Sequence, residues 1–201
     1  MNEDAGNSLS NRRASQVAVL HSCIMEGHVV AHDFGAWVAY SWALLFQDDF
    51  KSLTLIDAGI PGVTLTEDIQ LSDYKRKWNF IFQMLPDLPA ALTKGKEDVY
   101  VGWWFKNKVY KPAAIAPQDV AAYVQAYARE GRMDAAFDYC RKIVEDMDFN
   151  QKQFKSKLPI RLLAVGGQYS IPNMGDSLRP YFQDVSLSSS VQLPMHSVAS
   201  G

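Results

Sequence analysis

Val29-Val30-Ala31-His32-Asp33-Phe34-Gly35-Ala36-Trp37 is the stretch whose reading decides the fold. It runs apolar, then small-x-acid-x-small, then into a helical pattern. That spacing predicts a tight strand-to-helix elbow with Asp33 at its apex, small neighbours at Ala31 and Gly35 allowing strand and helix to approach closely. An apical carboxylate is held at the carboxyl end of a sheet, where it can act as a nucleophile. The covalent intermediate is then an ester of the enzyme's own carboxylate, which suits attack at saturated carbon in an epoxide or a carbon–halogen bond. A plainer reading stands beside it. His32-Asp33 also fits an N-cap before the amphipathic stretch Ala36 to Phe46, and a helix N-terminus steadies a carboxylate in either case.

Working outward, Gly27 to Ala31 reads as the short strand that enters the elbow, and Ala14 to Met25 has apolar residues at helical spacing. Residues 1–13 read as a polar tail. Ser52-Leu53-Thr54-Leu55-Ile56 has the continuous apolar character of a buried parallel strand, broken by Asp57-Ala58-Gly59-Ile60-Pro61-Gly62, so Asp57 falls at a strand's carboxyl end. From about Thr66 to Phe154 the pattern is helical and aromatic, punctuated by Pro86, Pro89, Pro112 and Pro117, with no strand signal. Strand character returns at Ile160 to Val165, after Leu158-Pro159 and before Gly166-Gly167, with a last short run near Val191 to Leu193. The order predicts an α/β fold with a helical insertion after the second strand. The core is expected over 14–65 and 155–201, and the insertion, or cap, over 66–154.

The chain has 201 residues, 48% of them apolar, enough for one substantial core with a small cap. A net charge of -2 and scattered Lys and Arg give no basic stripe for a phosphate backbone, which excludes nucleic acid as an expected partner. Cys23 and Cys140 are far apart and form no CxxC pair, so neither a disulfide framework nor a zinc site is indicated. The sequence contains neither a secretory h-region nor a bilayer-length apolar stretch, and a cytoplasmic protein without membrane contact is expected.

A nucleophilic Asp33 needs a base to activate water and an acid to orient the base. His196, in Leu193-Pro194-Met195-His196-Ser197, is the only His downstream of the insertion and completes the order nucleophile, acid, His. Its alternative is an exposed surface residue. Asp57 is the favoured acid, because Gly166-Gly167-Gln168-Tyr169-Ser170 offers no carboxylate, although a strand-end Asp also serves as a turn former.

These residues resemble the epoxide hydrolase and haloacetate dehalogenase group of α/β-hydrolases. The resemblance is carried by His32-Asp33-Phe34-Gly35-Ala36, by Leu55 to Pro61, by the insertion segments Trp78-Asn79-Phe80 and Ala136-Phe137-Asp138-Tyr139-Cys140-Arg141, and by Pro159 to Gly167. It implies an α/β-hydrolase fold with a parallel sheet and a helical cap, with no cofactor and no metal. It also implies attack by Asp33, charge support from the backbone N–H of Phe34, and water activation by His196 oriented by Asp57. The implied substrate is a small apolar epoxide, contacted by Trp78, Asn79, Tyr139 and Cys140; the alternative is a haloacetate or haloalkane.

The departures are specific. The group's His-Gly-x-Pro segment, which supplies half the oxyanion hole, has no counterpart here, and loss of one such donor costs about a hundredfold to a thousandfold in rate. The chain matches neither the group's opening strands nor its closing helix. That motivates a third reading, a truncated and inactive homologue whose uncovered sheet edges favour homo-oligomers. Where epoxide hydrolases place a Tyr before Arg, Cys140 stands, and Tyr139 is turned from it by about 100° on a helix. Asn79 replaces a His or Tyr, able to donate a hydrogen bond but not a proton. Trp78, Trp103, Trp104, Phe105, Tyr123 and Tyr127 are expected to line a pocket or fill a core, and Arg141 to Lys157 to form a solvated helical face.

Overall fold

The computed structural model describes residues 26–66 and 74–191. The expected tail, the helix over 14–25 and His196 lie outside the described residues. The described chain divides into two compact units. One comprises residues 26–66, 145–166 and 171–191, and the other residues 74–144 with 167–170.

The first unit is built on a four-stranded sheet in the order β1 (Gly27–His32), β2 (Phe50–Ile56), β3 (Leu158–Gly167), β4 (Phe182–Val191). β1 pairs with β2, and β2 with β3, in parallel. The register aligns Ala31 with Leu55 and Leu55 with Ala164, while Leu53 pairs with Leu162. All of these are buried, as a strand row facing a core requires. The alternate row is more open: Val30 is 66% exposed and Leu163, two strands away in the same row, 38%.

α1 (Phe34–Leu45) follows β1 directly and packs against β1 and β2. It buries Ala36, Trp37, Ala39, Tyr40, Trp42 and Ala43, small residues alternating with large ones so that the helix lies close to the sheet. Trp42 donates its indole N–H to Asp49 Oδ2 at 2.6 Å, which satisfies a carboxylate that is only 5% exposed. Burial pushes the Tyr40 phenol well above the usual tyrosine range, with the neighbouring Tyr181 adding to the rise.

The last strand differs from expectation. The chain inserts a short helix (Met174–Leu178) and then forms β4 at Phe182–Val191, beginning earlier than the run anticipated at 191–193, of which residues 192 and 193 lie outside the described residues. Four serines in β4 dilute its apolar signal, so its strand character rests on pairing with β3. Gly166 makes the preceding turn feasible, because a Cβ there would collide with the carbonyl oxygen of Ile171.

The second unit contains α2 (Tyr74–Met84), α3 (Leu88–Thr93), α4 (Glu97–Asn107), α5 (Pro117–Tyr127) and α6 (Arg132–Arg141), with no strand among the described residues. The prolines punctuate it as expected: Pro89 and Pro117 occupy first-turn positions, where a missing N–H costs nothing. Val101, Met133 and Phe137 form the core, bordered by Tyr100, Phe105 and Val124. Trp78 packs edge-on against Trp103 at 5.2 Å and Tyr100 at 6.5 Å. Trp103, Tyr123 and Tyr127 remain at least a third exposed, so the aromatic set divides between packing and surface.

Arg141 to Lys157 is not one solvated face. Arg141 is tied by Nη2 to Asp134 and by Nη1 to Asp138, each at 2.7 Å, and donates from Nε to the carbonyl of Leu85. α7 (Ile143–Gln153) buries Ile143, Met147 and Asn150. Asn150 accepts from Ser41 Oγ at 3.0 Å and donates to the carbonyl of Pro61 at 2.9 Å. Beside it, Gly62 adopts φ 71°, and a Cβ there would lie 2.6 Å from the carbonyl oxygen of Met147. Among the described residues no helix is long and apolar enough to cross a membrane.

Asn150 thus pairs with polar groups on two other segments, the half-buried Ser41 hydroxyl and the buried Pro61 carbonyl. Asn150→Ala is expected to lower unfolding free energy by about 1 to 3 kcal/mol, measured by urea denaturation; a change within about 0.5 kcal/mol, the usual surface range, would contradict the bridging role.

Candidate active site

β1 ends at His32 and β2 at Ile56, and these two residues are register partners. Asp33 and Asp57 are the next residue of each strand, so parallel pairing sets both acids at one edge of the sheet, on strands roughly 4.8 Å apart. This is the carboxyl edge, where open α/β sheets place their ligands.

Asp33 has φ 51° and ψ -125°, a backbone conformation rarely tolerated by a residue with a Cβ. Its N–H donates to the carbonyl of Ile56 at 3.4 Å, and its carbonyl accepts from the N–H of Ala36 at 2.9 Å. The turn is therefore held from both sides. Asp33 occupies the N-cap position, but its side chain makes no capping hydrogen bond, so helix capping does not account for the residue. Ala31 is buried as the small-residue spacing predicts, whereas Gly35 is not crowded: a Cβ there would meet nothing within 4 Å. Phe34 is the first residue of α1, so its N–H belongs to the turn that has no carbonyl one turn earlier in the helix.

Asp57 also has a left-handed backbone, φ 45°, and is 5% exposed. Its N–H donates to the carbonyl of Val165 at 2.8 Å, anchoring it to β3. The loop it begins is tied at successive carbonyls. Gly59 accepts from Trp37 Nε1 at 2.6 Å, Ile60 accepts from the N–H groups of Val63, Thr64 and Leu65, and Pro61 accepts from Asn150.

The other expected contact residues belong to the helical unit. Trp78 and Asn79 lie on α2, Tyr139 and Cys140 on α6. Asn79 is 4% exposed, and its Oδ1 accepts from Lys108 Nζ at 3.3 Å. Lys108 is itself buried and lies over the Trp104 ring, 5.4 Å from its centroid. With its carbonyl engaged, Asn79 has N–H donors to offer and no acidic proton. Cys140 is fully buried and donates to Gln83 Oε1 at 2.9 Å; Gln83 in turn donates to the Tyr100 hydroxyl at 2.7 Å. Burial raises the Tyr100 phenol above its ordinary range, and hydrogen bonds from Gln83 and Trp104 partly oppose that rise. Tyr139, one residue from Cys140, is only half-buried, in keeping with its rotation around the helix. Among the described residues no group of three His, Cys, Asp or Glu is placed to hold a metal ion.

Trp37, Asn150 and Lys108 are the contributors that sequence reasoning did not single out. Trp37 and Asn150 sit at ordinary core-facing positions of their helices, and Lys108 resembles any helix-end lysine. Their polar partners are 22 to 109 residues away in sequence, and local pattern contains no trace of them.

No family model and no curated protein matches the chain. Solved structures do. Cfl2 from Burkholderia cenocepacia is 33% identical with a TM-score of 0.83, over 92% of this chain and 64% of that one. ALR0039 from Nostoc sp PCC 7120, assigned as an α/β hydrolase, is 23% identical with a TM-score of 0.78 over the same shares. The epoxide hydrolase CorEH is 17% identical with a TM-score of 0.75, over 89% of this chain and 64% of that one. The chain thus spans about 64% of the length of each of these three structures.

The backbone strain at position 33 is directly measurable. Asp33→Gly is expected to be more stable than Asp33→Ala by about 1 kcal/mol, because only glycine relieves the conformation while alanine retains it. Equal stabilities by chemical denaturation would mean that the turn is unstrained.

Proposed function

The chain has the α/β-hydrolase fold, and on that premise we propose that it is a hydrolase whose nucleophile is Asp33, working through an alkyl-enzyme ester. The favoured substrate class is a small apolar epoxide. The observation that carries the reading is the pair of acids at one sheet edge, both with left-handed backbone, the first at a strained strand-to-helix junction. Strain of this kind persists where the surrounding structure over-determines it, and it clusters at functional sites.

The proposed course has two steps. Asp33 Oδ attacks the less hindered oxirane carbon as the ring C–O bond breaks, and the freed oxygen takes a proton from water, leaving a hydroxide that later accepts the proton held by His196. In the second step His196, oriented by Asp57, removes a proton from water, and the water attacks the ester carbonyl. The tetrahedral oxyanion forms within reach of the N–H of Phe34, the diol leaves, and the carboxylate of Asp33 is regenerated. The steps use side chains and water alone, so the route calls for no cofactor.

One observation favours carbon–halogen substrates as a second reading. The position that the resemblance gives to a proton donor holds Asn79, whose amide carries no acidic proton for an opened oxirane oxygen. A halide requires no proton to leave. Under either reading the first step ends in the same ester on Asp33.

The test uses epichlorohydrin, which carries both leaving groups, with intact-mass analysis and peptide mapping of a His196→Gln variant. Blocking water activation is expected to trap one equivalent of adduct on Asp33, retaining chlorine if the epoxide opened and lacking it if chloride left, with none in Asp33→Asn. A folded sample that forms no adduct would support the inactive-homologue reading instead.

A further inference from the structure

Two turns place the acid pair, and one side chain links them. Asp33 and Asp57 each leave a strand in left-handed backbone, at φ 51° and 45°. Trp37 lies four residues after Asp33 on α1 and is 3% exposed. Its ring meets the Phe34 ring edge-on at 4.6 Å, so it packs against the residue that follows the nucleophile. Its indole N–H donates at 2.6 Å to the carbonyl of Gly59, two residues beyond Asp57. We propose that Trp37 is a positioning residue, a strut that sets the place of Asp57 relative to the Asp33 elbow. The proposal rests on the reading of Asp33, Asp57 and His196 given above.

The physical case is one of rigidity. An indole has two side-chain torsions, both fixed by packing when the ring is buried, so its N–H keeps one direction and holds the half-buried carbonyl of Gly59 in place. The Asp57 loop has a second tie to α1, from Ser41 through Asn150 to Pro61. That tie reaches the loop four residues from Asp57, beyond the Ile60 carbonyl that gathers three N–H groups of its own turn. The Trp37 bond acts closer to the acid, with only Ala58 between Asp57 and Gly59.

The consequence is confined to one half of the reaction. Attack by Asp33 forms the Asp33 oxygen–carbon bond and breaks the ring C–O bond without using Asp57. Hydrolysis does use it: Asp57 steadies the imidazolium formed when His196 takes the water proton, before the ester C–O bond breaks and the alcohol departs. A misplaced Asp57 therefore slows hydrolysis and leaves alkylation intact, so ester accumulates.

The experiment is rapid-quench intact-mass analysis with epichlorohydrin on the full chain, following formation and decay of the adduct. Trp37→Phe keeps a ring and removes the N–H; replacement of Trp37 by 3-benzothienylalanine, isosteric but lacking the donor, covers loss of folding in the first variant. The expected result is alkylation within about twofold of wild type and ester decay slowed roughly tenfold to a hundredfold, matching Asp57→Asn. Trp42→Phe, which removes a buried indole donor that serves Asp49 instead, is the comparison, expected to be less stable but to partition as wild type does. Equal slowing of both steps, or wild-type decay in the variants, overturns the strut. No adduct on Asp33 in the wild-type chain or its His196→Gln variant would remove the underlying reading, and the strut with it.

Discussion

Parallel pairing between β1 and β2 is the constraint from which the candidate site follows. Strands in parallel end at the same edge, so the in-register pair His32 and Ile56 requires the next residues, Asp33 and Asp57, to leave the sheet side by side. A shift of one residue would turn Leu53 and Leu55 out of the core, and burial of that row therefore holds the register and the acid pair together. The same pairing supplies the acceptor for the elbow, since the carbonyl of Ile56 receives the N–H of Asp33. Hydrophobic burial thus stabilises a backbone conformation that is locally unfavourable at position 33.

Much of this was legible in the chain because it is encoded locally. The elbow is a spacing of small residues around an acid, β2 and β3 are short apolar runs ended by Asp57 and by Gly166-Gly167, and the helical unit is marked by its prolines. The illegible parts depend on distant partners. β4 has too many serines to read as a core strand, and Met174–Leu178 is too short for helical periodicity to show. Gly35 fits the elbow spacing without the crowding that usually explains it. Arg141 reads as a solvent charge until Asp134, Asp138 and the carbonyl of Leu85 surround it.

In the helical unit the same residue types have different uses from those their spacing suggests. Cys140 stands where a Tyr would be expected, but its thiol is committed to Gln83, which hydrogen-bonds the Tyr100 hydroxyl. Asn79 is oriented by a buried ammonium rather than left to solvent. The buried polar side chains of this unit are therefore held in fixed orientations by hydrogen bonds to one another.

The central claim is that bond making occurs at the carboxylate of Asp33 rather than by direct attack of water on the substrate. A single turnover of epichlorohydrin in 18O-labelled water, with the protein in excess, separates the two routes. The account predicts that the label enters the Asp33 carboxylate and that the first-turnover product is unlabelled at its new C–O bond. Label in that first product, with an unlabelled Asp33 peptide, would contradict it.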